Sequence, residues 1–319
     1  MVLNGKGNEN GINEETQKRV WAKAKELDYK PNIMARSLRT GRSHTIGLIV
    51  ADISNVFYAR MCRAVEDAAS RRGYYCLFSS SDEKADREKE LIQMLRDPLG
   101  DGIILSTTLE NNEDIRKLQE DGFPLVLIDR YIPNEKTPFV TADNYRGSKE
   151  AVEHIISKGK KRIGLLRISP SHLTSITDRE KGYRDALEAN GIAYDPSLSV
   201  EVPYDAIDDT INEAIPRMLE GPNPVEAFYA LNNNLATSVL NCLNRMGKRI
   251  PEDIGLLSFD DIDLFSLYQP GITAVAQPIE DMGRQSVEVL IDKIEKGEKA
   301  SLKDQLHLPT TLISRGSCG

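Results

Sequence analysis

Polar side chains that suit ligand binding recur in this sequence directly after short apolar stretches. Carboxylates, amides and hydroxyls of this kind bind a small polyol well, because sugar hydroxyls need both donors and acceptors. At any single position, a turn or a helix cap is the favoured explanation of such a residue. The recurrence at five places, together with Arg179, favours a binding pocket. The five places are 52–57, 79–82, 129–130, 232–234 and 260–261.

Other kinds of chemistry have little support in the residue spacing. The four cysteines and four histidines are scattered, so neither a zinc site nor a Cys–His nucleophile is indicated. No phosphate-binding loop of the GxxxxGK[ST] type occurs. Asp129 and Asp260 could act as the carboxylate pair of a sugar-modifying enzyme, yet no nucleophile–base spacing accompanies them. We therefore expect a binding protein with no catalytic residue, no metal and no cofactor.

The elements that must position such a pocket alternate between strand and helix. Residues 45–51 form a near-continuous apolar run, typical of a strand buried on both faces of a parallel sheet. Ligands bind outside the carboxyl ends of such strands, and ten predicted strands are better divided into two sheets than kept in one. The other predicted strands are 74–79, 102–106, 125–129, 139–143, 162–169, 198–202, 227–231, 254–260 and 273–277. The predicted helices between them are 58–72, 84–95, 145–158, 177–190, 210–219, 235–246 and 279–296.

The chain has 319 residues and a formal net charge of −8, which is unevenly distributed. Residues 1–45 hold nine basic and five acidic side chains, a net of +4, so the remainder carries −12. A basic segment on an acidic body is typical of a nucleic-acid-binding arm, although solvated surface helices explain it equally well. No apolar run approaches the roughly 20 residues of a membrane span, and the N-terminus does not resemble a signal peptide. We expect no membrane contact and a cytoplasmic location.

A series of short motifs runs through the whole chain. They are Val2-Leu3-Asn4-Gly5, Leu27-Asp28-Tyr29-Lys30-Pro31-Asn32, Ala35-Arg36-Ser37-Leu38, Ile46-Gly47-Leu48-Ile49, Asp101-Gly102-Ile103-Ile104, Asp129-Arg130, Asp143-Asn144-Tyr145-Arg146-Gly147 and Phe259-Asp260-Asp261. Around the first three motifs, a helix capped by Asn13 and a short helix after Asn32 are predicted. Each motif is weak alone, but together and in this order they resemble the lactose-repressor (LacI/GalR) family of transcription regulators.

The resemblance implies an α/β fold: a periplasmic-binding-protein-like core of two doubly wound parallel-sheet lobes, preceded by an incomplete helical DNA-binding head and a hinge helix. Residues 1–30 would be the end of a helix-turn-helix domain, 31–44 the hinge helix and linker, and 45–319 the effector-binding core. The N-lobe would take about 45–143 and 277–307, and the C-lobe about 144–273 and 308–319. Family members begin about 20 residues earlier, so this chain is expected to lack most of the helix that reads the major groove.

Residue roles also follow from the resemblance. Arg179 is the strongest candidate, because its planar fork holds vicinal hydroxyls or a carboxylate; a surface salt bridge with Asp178 or Glu180 is the alternative. Leu38 matches a hinge leucine that inserts into the minor groove. Asn233 stands where aspartate is common in the family, which leaves a sugar and a sugar acid both open as ligands. The implied effector contacts are Asn55, Phe57, Tyr58, Asp129, Arg179, Asn232, Phe259 and Asp260. The implied DNA and hinge residues are Asn4, Tyr29, Asn32, Ala35, Arg36 and Leu38.

The function implied by the resemblance is a homodimeric, effector-responsive transcription regulator, a repressor of carbohydrate-use genes. Its partners would be operator DNA, in the full-length form, and a small sugar or sugar derivative bound between the lobes. A solute-binding protein with the same core and no DNA function is the alternative. The missing signal peptide and the hinge motif at 29–32 argue against that alternative.

Overall fold

The first part of the chain contains one helix that the sequence predicts. The computed structural model describes residues 2, 8, 10–27, 42–96, 100–109, 113–297 and 304–319. The chain forms two compact units, residues 1–44 and 45–319. In the first unit, helix α1 spans Glu14–Glu26, and the Asn13 side chain caps it by accepting a hydrogen bond from the Thr16 N–H at 2.8 Å. The predicted DNA and hinge residues lie outside the described residues: Asn4, Tyr29, Asn32, Ala35, Arg36 and Leu38.

The second unit contains two six-stranded sheets of the same strand order. The strands are β1 Thr45–Val50, β2 Tyr75–Ser80, β3 Gly102–Leu105, β4 Leu125–Ile128, β5 Phe139–Ala142, β6 Ile163–Ile168, β7 Ser199–Val202, β8 Ala227–Ala230, β9 Gly255–Phe259, β10 Thr273–Ala276, β11 Gln305–Leu308 and β12 Thr311–Ile313. The N-lobe sheet has the order β11-β5-β4-β3-β1-β2, and the C-lobe sheet has the order β12-β10-β9-β8-β6-β7. All neighbouring strands are parallel except β10 and β12, which are antiparallel. The predicted α/β class with two parallel-sheet lobes is therefore confirmed.

Helices connect these strands. They are α2 Val56–Arg71, α3 Ala85–Met94, α4 Glu113–Glu120, α5 Asn144–Ser157, α6 Thr174–Ala189, α7 Ile207–Leu219, α8 Asn233–Arg245, α9 Asp263–Leu267 and α10 Ile279–Lys296. Apolar side chains cover both faces of the N-lobe sheet. On β1, Leu48 and Val50 pack with residues of α2 and α10, whereas Ile49 packs on the other face with residues of α3 and α4. This two-sided burial explains the near-continuous apolar run of β1.

The chain crosses between the two sheets three times. It leaves the N-lobe sheet after β5 and enters α5, which packs on α6. It returns after β10, because α10 packs against α2. The last crossing follows Leu308, which pairs with Ala142 in the N-lobe sheet, before β12 joins the C-lobe sheet. Three connections therefore join the two sheets.

Two strands and two helices are missing from the sequence-based prediction. Strands β11 and β12 contain four and three residues, and each pairs with a strand that lies much earlier in the chain. No local sequence pattern therefore predicts them. Helix α9 contains only five residues, too few for a periodic apolar stripe. Helix α4 contains eight residues, which is also short for such a pattern. Among the described helices, none is both long and apolar enough to cross a membrane.

Candidate functional site

A cavity of about 40 Å³ lies between the two lobes, at the carboxyl ends of strands from both sheets. Phe259 does not line it, but its ring lies directly beneath the guanidinium of Arg179. The structure therefore brings together residues that are up to 205 positions apart in the sequence. Seven of the eight predicted effector contacts line this cavity: Asn55, Phe57, Tyr58, Asp129, Arg179, Asn232 and Asp260.

The remaining lining residues were not assigned from the sequence. Arg130, Asp52 and Asn234 belong to the strand-end stretches that the sequence singled out, so position alone could have identified them. Gln277 ends the predicted strand 273–277, so its strand-end position could have identified it. Glu83 lies one residue beyond the stretch 79–82, and no sequence signal separates it from an ordinary loop residue. The full additional set is Asp52, Glu83, Arg130, Ile168, Ser175, Ile176, Tyr204, Asn234 and Gln277.

Two aspartates occupy matching places in the two lobes. Asp129 follows β4 and Asp260 follows β9, each the third strand of its sheet in the order given above. Both have a left-handed backbone, with φ of 68° and 71° respectively. Non-glycine residues seldom adopt this conformation, and such strain concentrates at functional sites. The backbone therefore points to these two carboxylates as the fixed acceptors of the cavity.

The N-lobe wall is a buried network around Asp129. The Tyr58 hydroxyl donates to Asp129 Oδ2 at 2.9 Å and lies 3.2 Å from the Ser106 hydroxyl. Burial raises the pKa of the Tyr58 phenol well above its usual range, so the hydroxyl keeps its proton and remains a donor. Next to it, Arg130 donates from both terminal nitrogens to Glu83, at 2.8 and 2.5 Å. Both side chains of this ion pair are buried.

The C-lobe wall is built around Arg179 on α6, which is only 4% exposed. Its Nε donates to Asn144 Oδ1 at 2.8 Å, and its Nη1 donates to the Leu231 carbonyl at 2.6 Å. Its guanidinium carbon lies 3.7 Å from the centre of the Phe259 ring, a cation–π contact. The alternative of a surface salt bridge does not fit these contacts. Asp178 instead accepts from Tyr131, and Glu180 pairs with Arg167 and Arg184.

Asp260 lies on the same wall and is held by Gln277. The Gln277 Nε2 donates to Asp260 Oδ1 at 2.6 Å. Burial raises the pKa of the Asp260 carboxyl, and the nearby charge of Arg179 opposes that rise. Within the described residues, the other amide atom, Gln277 Oε1, is buried without a hydrogen-bond partner. An unpaired acceptor beside a buried carboxylate is a place where a ligand hydroxyl would be stabilised.

Two of the predicted contacts also cap helices. Asn55 Oδ1 accepts from the Phe57 N–H at 3.0 Å and begins α2, while Asn232 Oδ1 accepts from the Leu235 N–H at 2.9 Å and begins α8. At these two positions, the strand-end residue does cap a helix, which is the structural explanation that the sequence left open. Capping uses the amide oxygen, so a role in ligand binding would rely on the amide nitrogen.

Several hydrogen bonds join the lobes around the cavity. Asn233 Nδ2 donates to Asn55 Oδ1 at 3.0 Å, and the Tyr131 hydroxyl donates to Asp178 at 3.0 Å. The Tyr131 N–H also donates to the Thr174 hydroxyl at 2.9 Å. The two lobes are therefore in direct contact beside the cavity. In the part of the chain that the structure describes, no group of three His, Cys, Asp or Glu side chains is placed to hold a metal ion.

Comparisons with known proteins give a consistent result. Residues 152–318 match the family described as periplasmic binding protein-like domain. The chain is 33% identical to the ribose operon repressor of Halalkalibacterium halodurans, over 98% of this chain and 90% of that protein. It is 32% identical to the transcriptional regulator KdgR of Bacillus subtilis, over 99% and 91%.

Two solved structures with bound sugars are also similar. The transcriptional regulator CelR in complex with cellobiose has a TM-score of 0.76 and 28% identity, covering 99% of this chain and 94% of that one. A LacI family transcriptional regulator from Enterococcus faecium with bound ribose has a TM-score of 0.73 and 27% identity, covering 86% and 98%.

Proposed function

Because the chain belongs to the LacI family of DNA-binding transcriptional regulators, we propose that a small sugar bound between its lobes controls its affinity for operator DNA. The observation that carries this proposal is the convergence of Asp129, Arg179 and Asp260 on one interlobe cavity. The ribose and cellobiose in the two similar structures support a sugar as the ligand class.

Each side chain has a definite role in this proposal. Asp129 and Asp260 accept hydrogen bonds from sugar hydroxyls, and Arg179 donates to a sugar oxygen. Phe57 presents an aromatic ring, Phe259 supports the Arg179 guanidinium from beneath, and Tyr58 keeps the Asp129 carboxylate in position. The amide nitrogens of Asn55 and Asn232 remain donors after their oxygens have capped helices. A ligand held in this way contacts both lobes at once.

Contacts from both lobes give the ligand its regulatory effect. A sugar that binds the closed arrangement better than the open one shifts the population toward closure by its difference in affinity. We propose that the hinge residues Asn32, Ala35, Arg36 and Leu38 carry this change to the DNA-binding head, in which Asn4 and Tyr29 lie. Since the coupling is reciprocal, operator DNA must alter sugar affinity by the same factor.

A two-fold operator requires two copies of the chain. The edge strand β2 offers a surface for this purpose, because Tyr75 is 74% exposed and Leu77 and Phe78 are partly exposed beside it. An exposed apolar edge strand is uncommon in a monomer, since it invites association. We propose that this edge contributes to a homodimer. Acting on operator DNA also places the protein in the cytoplasm.

The sugar-binding part of the proposal is tested by isothermal titration of the full chain with D-ribose and with cellobiose. We expect at least one of them to bind with one site per chain and to be recovered chemically unchanged, since the proposed role is binding and not catalysis. Failure of both sugars to bind, or conversion of either into a product, would contradict this part.

The DNA-binding part is tested by capturing fragments of genomic DNA on the immobilised full-length form of the protein, with and without the sugar that binds. We expect recovered fragments to share an inverted repeat, and the sugar to change the amount recovered. Recovery of sequence-random DNA, or an inverted repeat recovered equally with and without sugar, would contradict control of operator affinity by the sugar.

A further inference from the structure

We propose that the cavity selects an uncharged sugar and rejects the sugar acid and the sugar phosphate of the same size. This inference rests on the proposed function and narrows its ligand class. Asn233, which stands where aspartate is common in the family, leaves open the choice between a sugar and a sugar acid. The charges and hydrogen bonds of the cavity favour the sugar.

The first observation is the balance of charge around the cavity. Among the described lining residues, carboxylates outnumber guanidinium groups by four to two. Even if Asp260 is left out of the count, the carboxylates remain in excess, by three to two. A carboxylate or phosphate on the ligand would add negative charge to a buried site that already has an excess of it. The carboxylates belong to Asp52, Glu83, Asp129 and Asp260, and the guanidinium groups to Arg130 and Arg179.

The second observation is that both guanidinium groups already have protein partners. Arg130 directs its two terminal nitrogens at Glu83, and its Nε lies 3.5 Å from a carboxylate oxygen of Asp129. Arg179 donates from Nε to Asn144 and from Nη1 to a backbone carbonyl, which leaves Nη2 without a protein acceptor among the described residues. A single donor nitrogen of this kind suits one hydroxyl or ring oxygen. Glu83 neutralises Arg130, and the charge of Arg179 acts on the nearby Asp260 carboxyl, so a ligand anion would compete with a protein carboxylate for either guanidinium.

The third observation concerns the two buried polar atoms of the lining residues that have no hydrogen-bond partner among the described residues, Arg130 Nε and Gln277 Oε1. Arg130 Nε is a donor, but it already lies 3.5 Å from a carboxylate oxygen of Asp129. Gln277 Oε1 is an acceptor that receives no hydrogen bond from the described residues. It requires a donor, as do the carboxylate oxygens of the two aspartates that face the ligand. A sugar hydroxyl supplies a donor, whereas a ligand carboxylate supplies only acceptors. An anionic group placed at Gln277 would therefore leave two acceptors facing each other.

The test uses two matched sets of ligands in isothermal titration of the full chain. One set is D-ribose, D-ribonate and D-ribose 5-phosphate; the other is D-glucose, D-gluconate and D-glucose 6-phosphate. Within a set that binds, we expect the neutral sugar to bind at least ~30-fold more tightly than either anion, because placing like charges together is costly. An anion that binds as tightly as its neutral sugar, or more tightly, would overturn this inference and leave the proposed function intact. Absence of binding by all six compounds and by cellobiose would instead count against the proposed function.

A charge variant tests the cause of the selectivity. The substitution Glu83→Gln removes the carboxylate that neutralises Arg130, so the preference for D-ribose over D-ribonate, or for D-glucose over D-gluconate, should fall about 10-fold. Glu66→Gln, which changes an exposed carboxylate paired with Arg63, is the matched control and should leave the preference unchanged. An unchanged preference in folded Glu83→Gln would contradict the explanation. If that variant does not fold, the ligand sets on the unaltered chain still decide the proposal.

Discussion

Removal of the Arg179 side chain provides the sharpest residue-level prediction. In Arg179→Ala the ligand loses one hydrogen bond from a charged donor, and such bonds contribute about 1.5–3 kcal/mol. This corresponds to a loss of affinity of about 10- to 150-fold. The substitution also leaves Asn144 Oδ1 and the Leu231 carbonyl without their donor. We therefore expect lower thermal stability as well, and the two effects must be measured separately.

Isothermal titration with the binding sugar measures the affinity, and thermal unfolding without ligand measures the stability. Arg184→Ala is a matched control on the same helix. Like Arg179, Arg184 lies over an aromatic ring, at 4.1 Å from a tyrosine ring centre, but it pairs with Glu180 and is half exposed. It should change the sugar affinity less than about twofold, as usual for surface substitutions. Asn144→Ala keeps the Arg179 guanidinium but removes one of its hydrogen-bond acceptors. The sugar affinity of this variant should therefore lie between those of Arg179→Ala and Arg184→Ala.

Two results would refute this reasoning. Full sugar affinity in Arg179→Ala would show that the side chain does not contact the ligand. Equal losses of sugar affinity in Arg179→Ala and Arg184→Ala would show that removing either arginine perturbs helix α6, and that neither effect comes from a contact in the cavity.

Three further predictions concern pH, assembly and stability. Because burial raises the pKa of Asp260 and its ionised form accepts from the sugar, affinity should fall as the pH is lowered through that raised pKa. Titrations between about pH 4 and pH 8 should show this fall in the unaltered chain and a flatter profile in Asp260→Asn. Tyr75→Asp places a charge on the exposed β2 edge, so sedimentation velocity should show a monomer where the unaltered chain gives a dimer; a dimer in both would contradict the assignment of that edge. Glu88 is fully buried and accepts three hydrogen bonds of 2.6 Å from Thr107 and Thr108. In urea titrations, Glu88→Gln should therefore lower the free energy of unfolding by about 2–3 kcal/mol. An unchanged free energy of unfolding would mean that these hydrogen bonds add nothing to stability.

Much of the fold is predictable because its strands are buried on both faces. The run at 45–51 is apolar throughout, since Leu48 and Ile49 face different parts of the core. The same logic locates the site, because polar residues directly after such strands lie at the carboxyl edge of the sheet. Asp129 and Asp260 were found in this way.

The rest of the site depends on contacts that no local pattern encodes. Gln277 reaches Asp260 because a lobe crossing follows β10, and Glu83 reaches Arg130 from a loop whose left-handed backbone is not visible in the sequence. Glu88 lies on a helix whose sequence is strongly charged, and charged residues are usually exposed. Its burial is explained by hydrogen bonds from Thr107 and Thr108, which follow β3.

A crystal structure of the full chain grown with the sugar that binds in titration would test the central claim most directly. We expect one sugar ring between the lobes, hydrogen-bonded to Asp129 of one lobe and to Arg179 and Asp260 of the other. A ring that contacts only one lobe, or that binds elsewhere on the molecule while this cavity holds only water, would contradict control through an interlobe ligand.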